Sequence, residues 1–173
     1  MEKAVMLSIR PKWCEKIVNG EKTIEVRKTR PKLDTPFKCY IYCTLPKYPH
    51  EDFIATDYPR PQFYGGGKVI GEFTCDRIYE LAPLNHAPDD VEKQACLTRE
   101  EIVNYLKGTG YGWHISNLKI YDTPRELSKF RRACPNSWYC ESCAMYWGNN
   151  GTCGNESLQL KRAPQSWCYV EEG

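Results

Sequence analysis

The chain has 173 residues, with 24 Lys and Arg against 22 Asp and Glu, for a formal net charge of +2. That length suffices to bury a core without covalent staples, so a single domain over 1–173 is expected. The near balance of charge argues against a protein that coats nucleic acid by electrostatics alone, and no apolar run approaches the ~18 residues a bilayer span requires.

The charge is unevenly spread. Residues 1–50 carry 11 Lys and Arg against 5 Asp and Glu, whereas 51–110 carry 6 against 11. A basic first third can face phosphates or simply form a solvated surface. The opening apolar run breaks at Arg10-Pro11, too short for the core of a signal peptide. A soluble, cytoplasmic protein is the expectation.

Residues 4–9 read as a short strand. Pro11 suits the first turn of a helix, where its missing N–H is not needed. Trp13 and Ile17, then Cys14 and Val18, are four residues apart, and Gly20 is a natural helix stop. A two-turn helix over 11–19 follows. From Thr23 to Lys28 the chain alternates, with Ile24 and Val26 on one face and Thr23, Glu25 and Arg27 on the other. Residues 37–44 form a second strand, rich in aromatic and branched side chains. Residues 45–67 make a long, Pro-punctuated, Tyr-rich loop, a candidate surface for a protein partner.

Residues 68–81 read as a long strand in which Gly71 marks a bulge or a close backbone approach. Residues 82–97 look irregular. Thr98-Arg99-Glu100-Glu101 matches a capping box and opens a helix that stops at Gly108. Residues 113–121 form another strand, Thr123-Pro124-Arg125-Glu126 suggests one more helical turn, and 166–170 return as a last strand. Several strands with a few short helices describe a closed or half-closed barrel better than a doubly wound sheet. The fold class is α+β, mostly β, with short flanking helices.

Thr23, Glu25 and Arg27 on one strand face, with Lys22 beside the glycine turn, bring a hydroxyl, a carboxylate and two cations together. Such a set can grip a base edge through Glu25 and a phosphate or carbonyl through Lys22 or Arg27. It can equally be a surface ion pair worth ~0.5 kcal/mol. Ser8 and Arg10 alternate with Ile9 and can share the same cleft, and Trp13 lies at its edge. Trp113, preceded by Gly110-Tyr111-Gly112, is either a core residue or a platform on which a base stacks. His114 either lines the cleft or caps a strand.

The ten cysteines fall into two groups. Cys14, Cys39, Cys43, Cys75 and Cys96 are dispersed at positions suited to small apolar residues. Cys134, Cys140, Cys143 and Cys153 are crowded, and four thiolates at such spacing can hold a tetrahedral, closed, structural zinc. Cys168 is a substitute ligand. The other readings of this Cys-rich knuckle are free thiols and a redox Cys-x-x-Cys.

The run Gly20-x-Lys22-x-x-Glu25-x-Arg27, after Ser8-Ile9-Arg10-Pro11-Lys12-Trp13 and a short helix, resembles the signature of the ASCH domain family. So do the segments 67–73, 111–115 and 164–169, and the overall pattern is similar to small ASCH proteins of bacterial and phage genomes. The resemblance implies a PUA-like β-barrel that binds RNA or nucleotides in a cleft beside the charged strand. Some relatives deacetylate N4-acetylcytidine with a Lys, a nucleophilic Thr and a Glu, and others have been proposed as ribonucleases. Lys22 matches that lysine, but Glu25 stands where the threonine would be. A carboxylate does not replace an activated hydroxyl, so that mechanism does not carry over. The favoured expectation is a binding module for RNA or a nucleotide, lined by Ser8, Arg10, Trp13, Lys22, Thr23, Glu25, Arg27, Trp113 and His114. The alternative is a hydrolase acting on a modified nucleoside or RNA, with Lys22 and Glu25 as its acid and base.

Overall fold

The computed structural model describes residues 2–56, 62–82, 84–135, 142–150 and 153–173. In chain order the elements are β1 (Lys3–Ile9), α1 (Pro11–Val18), β2 (Ile24–Arg27), β3 (Phe37–Cys43), β4 (Phe53–Ile54), β5 (Phe63–Tyr64), β6 (Lys68–Glu80), α2 (Val91–Ala95), α3 (Arg99–Leu106), β7 (Tyr111–Glu126), α4 (Ala144–Trp147) and β8 (Trp167–Glu171). Six strands form one sheet in the order β2-β7-β6-β3-β1-β8, curled into a half-barrel, and β4 and β5 make a separate hairpin. The fold is α+β and mostly strand, as the residue pattern predicts.

β1 is apolar on both faces, and the reason is its place in the sheet. It runs parallel to β3, with Val5 opposite Cys39 and Leu7 opposite Ile41, and antiparallel to β8. Its inward residues Val5, Leu7 and Ile9 meet Cys14 and Ile17 of α1 in the barrel core. Its outward residues Ala4 and Met6 are covered by Phe130, Leu160 and Val170. Full burial of an aliphatic side chain contributes about 1.5–3 kcal/mol, so this strand anchors the molecule from both sides.

β2 splits its faces as its alternation requires. Ile24 and Val26 pack against Val91, Ala95, Ile102 and Leu106 of α2 and α3. That leaves Glu25 and Arg27 to the other side. The capping box at Thr98 is present: its hydroxyl accepts from Glu101 N at 3.1 Å, and the Glu101 carboxylate accepts from Thr98 N at 2.7 Å.

Gly71 is a close approach. A Cβ there would lie 2.5 Å from the Lys119 carbonyl oxygen, beside a break in register between β6 and β7. Three local expectations fail. The stretch 45–67, read as a loop, contains the paired strands β4 and β5. Residues 91–95 within the stretch read as irregular form α2. Thr123–Glu126, read as a helical turn, belongs to β7, where Arg125 pairs with Val69 and Glu126 with Lys68. Pro124 fits there because the register break leaves it outside the regular ladder.

Candidate functional site

The sheet is open between its two edges, β2 and β8, and a cleft of about 450 Å³ lies there. Its lining includes Ser8 and Arg10 from the end of β1, Trp13 of α1, Lys22, Glu25 and Arg27 around β2, and Glu101 and Tyr105 of α3. The sequence therefore brings six of its candidate residues to one hollow: Ser8, Arg10, Trp13, Lys22, Glu25 and Arg27.

Four polar side chains here are almost fully buried: Ser8, Lys22, Glu25 and Arg27 are 9%, 2%, 7% and 7% exposed. Burial at this level demands partners, because an unpaired charge removed from water costs several kcal/mol. Arg27 is completely engaged. Its Nε and Nη2 reach Glu25 Oε1 at 3.1 and 2.9 Å, and Nη2 also donates to the Ser8 carbonyl at 2.8 Å. Nη1 donates to the Ser166 carbonyl and hydroxyl at 3.3 and 3.1 Å. Arg27 thus ties β2 to β1 and to the start of β8 across the mouth of the half-barrel.

That clamp fixes Glu25 by one oxygen and leaves the other to Lys22, whose Nζ stands 3.5 Å from Oε2. Lys22 also donates to the Ala95 carbonyl at 2.6 Å, where α2 ends, and its amine lies 5.0 Å from the centre of the Trp13 ring. The cleft floor is a held lysine–carboxylate pair with an aromatic ring beside it. The Ser8 hydroxyl donates to the Pro164 carbonyl at 2.6 Å. Beneath the floor, burial pushes the Cys14 thiol up, with Cys43 and Glu25 adding to the shift.

Three candidates lie elsewhere. Thr23 donates to Gln94 Oε1 at 3.2 Å and lies outside the cleft lining. Trp113 is fully buried, edge-on to Phe37 and tilted against Trp167, so it is core and offers no stacking face. His114 lies against Asp76, Nδ1 to Oδ1 at 2.6 Å, also outside the lining. Conversely, Thr44, Leu97, Glu101, Tyr105 and Gln165 line the cleft without having been singled out. Tyr105 had a signal: it sits one turn after Glu101 on the capped helix. Gln165 lies in the 164–169 segment that resembles the family signature, and Thr44 carries no motif.

Of the crowded cysteines, Cys134 and Cys153 are half-buried and Cys143 is exposed, while Cys140 lies outside the described residues. Among the described residues no three ligating side chains are gathered around one point. Arg131 Nη2 donates to Cys153 Sγ at 3.0 Å. Leu45, after β3, and Tyr64, on β5, are exposed. Among the described residues no helix is long and apolar enough to cross a membrane.

Comparison with known proteins bears on the fold. No curated protein matches the chain. Among solved structures, the ASCH protein of Zymomonas mobilis superposes with a TM-score of 0.58 at 16% identity, covering 98% of this chain and 88% of that one. A Tyr-to-Phe mutant of the same protein gives 0.57 at 16% identity, covering 99% and 92%. A Ser-to-Ala mutant gives 0.58 at 15%, covering 98% and 89%. At such identity these likenesses establish the fold. Residues 7–43, which hold β1, α1, the charged strand and β3, match the model of the ASCH domain family. The chain thus carries a match to the ASCH domain family over residues 7–43, within a fold like that of the Zymomonas mobilis ASCH protein.

Proposed function

We propose that the cleft beside β2 binds an RNA segment or a nucleotide, with one base over the Lys22–Glu25 floor. The ASCH family is in general an RNA-binding, PUA-like one. The observation that carries the reading is the buried ion pair itself: Lys22 and Glu25 line an open hollow of about 450 Å³, within the size range of small-ligand sites. A carboxylate accepts from an exocyclic amine and an ammonium donates to a ring carbonyl, so the pair suits the hydrogen-bonding edge of a base. Trp13 supplies an aromatic wall. Arg27 supports the site by holding Glu25, since all its N–H groups already have protein acceptors.

The test is calorimetric titration of a short single-stranded RNA and of nucleoside monophosphates at fixed salt. Wild type is compared with Lys22→Met and Glu25→Gln, and circular dichroism verifies folding. Each variant is expected to bind at least ~10-fold more weakly, the scale of a lost charged hydrogen bond. Unchanged affinity in folded variants would sink the proposal.

A second reading rests on the Lys22 ammonium and the Glu25 carboxylate standing side by side in the cleft lining, Nζ 3.5 Å from Oε2, where each can serve a bound substrate as acid or base. In that reading the protein hydrolyses a modified nucleoside or RNA. Turnover of acylated cytidine or of RNA that vanishes in Glu25→Gln supports it, and turnover indifferent to that change rejects it.

The third part of the proposal is a structural zinc held by Cys134, Cys140, Cys143 and Cys153. Their spacing supports it, as does the guanidinium N–H directed at Cys153 Sγ. Such a donor stabilises a thiolate and is a common outer partner of metal-bound sulfur.

A further inference from the structure

The two lips of the cleft are built alike. On one, Trp13 lines the cleft and the Lys12 ammonium stands 4.7 Å from its ring centre. On the other, Tyr105 lines it and the Lys28 ammonium stands 5.2 Å from its ring centre. One lip comes from α1, the other from α3 and the end of β2, so different elements bring the same aromatic–lysine pair to either side of the Lys22–Glu25 floor.

The charges around the cleft are unequally satisfied. Lys12, Lys28 and Arg10 are exposed, and none forms an ion pair with a carboxylate among the described residues. Elsewhere, Lys16, Lys38, Lys68, Arg99 and Arg131 each have a carboxylate within 4.0 Å, while others such as Lys3, Lys32 and Lys119 have none among the described residues, so what marks the rim is that Lys12 and Lys28 stand at the two aromatic lips. The two acids that line the cleft are already occupied: Glu25 by Arg27 and Lys22, and Glu101 by the Thr98 N–H it caps. Glu101 is the one acid of the lining not paired with a cation, against the three exposed cations Arg10, Lys12 and Lys28, so the rim is cationic in balance.

Resting on the RNA or nucleotide reading above, we propose that the ligand is an internal nucleotide of a single strand of nucleic acid. One flanking phosphate would be met by Lys12 on the α1 lip and the other by Lys28 on the α3 lip. A free nucleoside uses neither lysine, and a mononucleotide uses one. A strand crossing the cleft uses both, while its neighbouring bases stack on Trp13 and Tyr105. Aromatic faces interleaved with cations are the means by which proteins track a single strand without reading its sequence. A protein partner would need apolar area at these positions, and the lips offer two isolated rings under ammonium groups.

The experiment compares a nucleoside monophosphate with a five-nucleotide single-stranded RNA of the same base, across a salt series. Wild type, Lys12→Ala, Lys28→Ala and the charge-keeping Lys12→Arg and Lys28→Arg are titrated. The pentamer should bind at least ~10-fold tighter than the monophosphate. Each alanine variant should lower the slope of log K against log salt for the pentamer by about 0.7, the increment for one phosphate contact on a single strand. The arginine variants should keep that slope. Equal affinity of monophosphate and pentamer, or slopes that ignore both alanine variants, overturns the two-lip strand while leaving nucleotide binding in place. Absence of binding by either probe overturns both.

Discussion

Arg27 closes a sheet whose edges would otherwise gape. Its acceptors belong to β1, β2 and the residue before β8, and it is 7% exposed. Arg27→Ala leaves Glu25 buried with only Lys22 to answer it. Removing one partner of a buried pair costs about 3–5 kcal/mol, so urea unfolding should show that loss, and ligand affinity should fall with the fraction folded. An unchanged midpoint would show that the clamp is incidental. A second residue-scale consequence concerns Cys75. Burial raises its thiol from the ordinary 9.0 to about 12. Its folded pKa lies above the unfolded one, so its contribution to stability is intact below 9.0 and is lost as pH rises towards about 12. The urea midpoint should drop between about pH 8 and about pH 10.5, and Cys75→Ala should reduce that drop. Equal drops in both proteins would contradict the argument.

At the scale of the element, α3 carries one lip of the cleft, and its first turn depends on the Thr98–Glu101 capping box. Thr98→Ala removes a cap worth about 0.5–2 kcal/mol. The helix bears Tyr105 as well as the core residues Ile102 and Leu106. Global stability should fall by that amount, measured by denaturant unfolding, and backbone amides of α3 should exchange faster than those of β6. Exchange in α3 that matches wild type would show that packing alone fixes the lip. Short elements also explain what the residues did and did not reveal. The faces of β2, the α1 helix and the capping box follow from strict periodicity and a local hydrogen-bond motif. α2 escaped because it spans five residues, lacks a side-chain cap and buries only Val91 and Ala95. Yet its last carbonyl is what Lys22 holds. Thr123–Glu126 looked helical because of Pro124, and long-range pairing with β6 overrode that local preference.

Across the whole molecule, the cleft was legible as a face of one strand but not as an enclosed space. Glu25 and Arg27 declare their side through alternation. Nothing in the chain says that Arg27 is answered 139 residues away at Ser166, nor that Trp113, opposite Glu25 in register, is swallowed by the core. His114 and Thr23 fall outside the cleft lining: strand periodicity gives a face, whereas their partners Asp76 and Gln94 come from other elements. The Cys-rich stretch invites a direct measurement. Protein purified without added metal should carry one zinc per chain by elemental analysis, and Cys143→Ser should lose it while retaining the β-rich circular dichroism of the half-barrel. Metal-free wild-type protein would dispose of the zinc site.

The pairing of β1 has a consequence for how the molecule comes into being. β1 is flanked by β3 on one side and by β8, far along the chain, on the other. A nascent chain therefore leaves the ribosome with an apolar ribbon whose second edge has no neighbour until β8 has been synthesised. Such long-range closure is slow, and open edges recruit other chains in the meantime. The same wait applies to the hollow, because Ser166 must arrive before Arg27 can be seated. Ligand competence should thus wait for the synthesis of Ser166, however early the strand that bears Arg27 emerges.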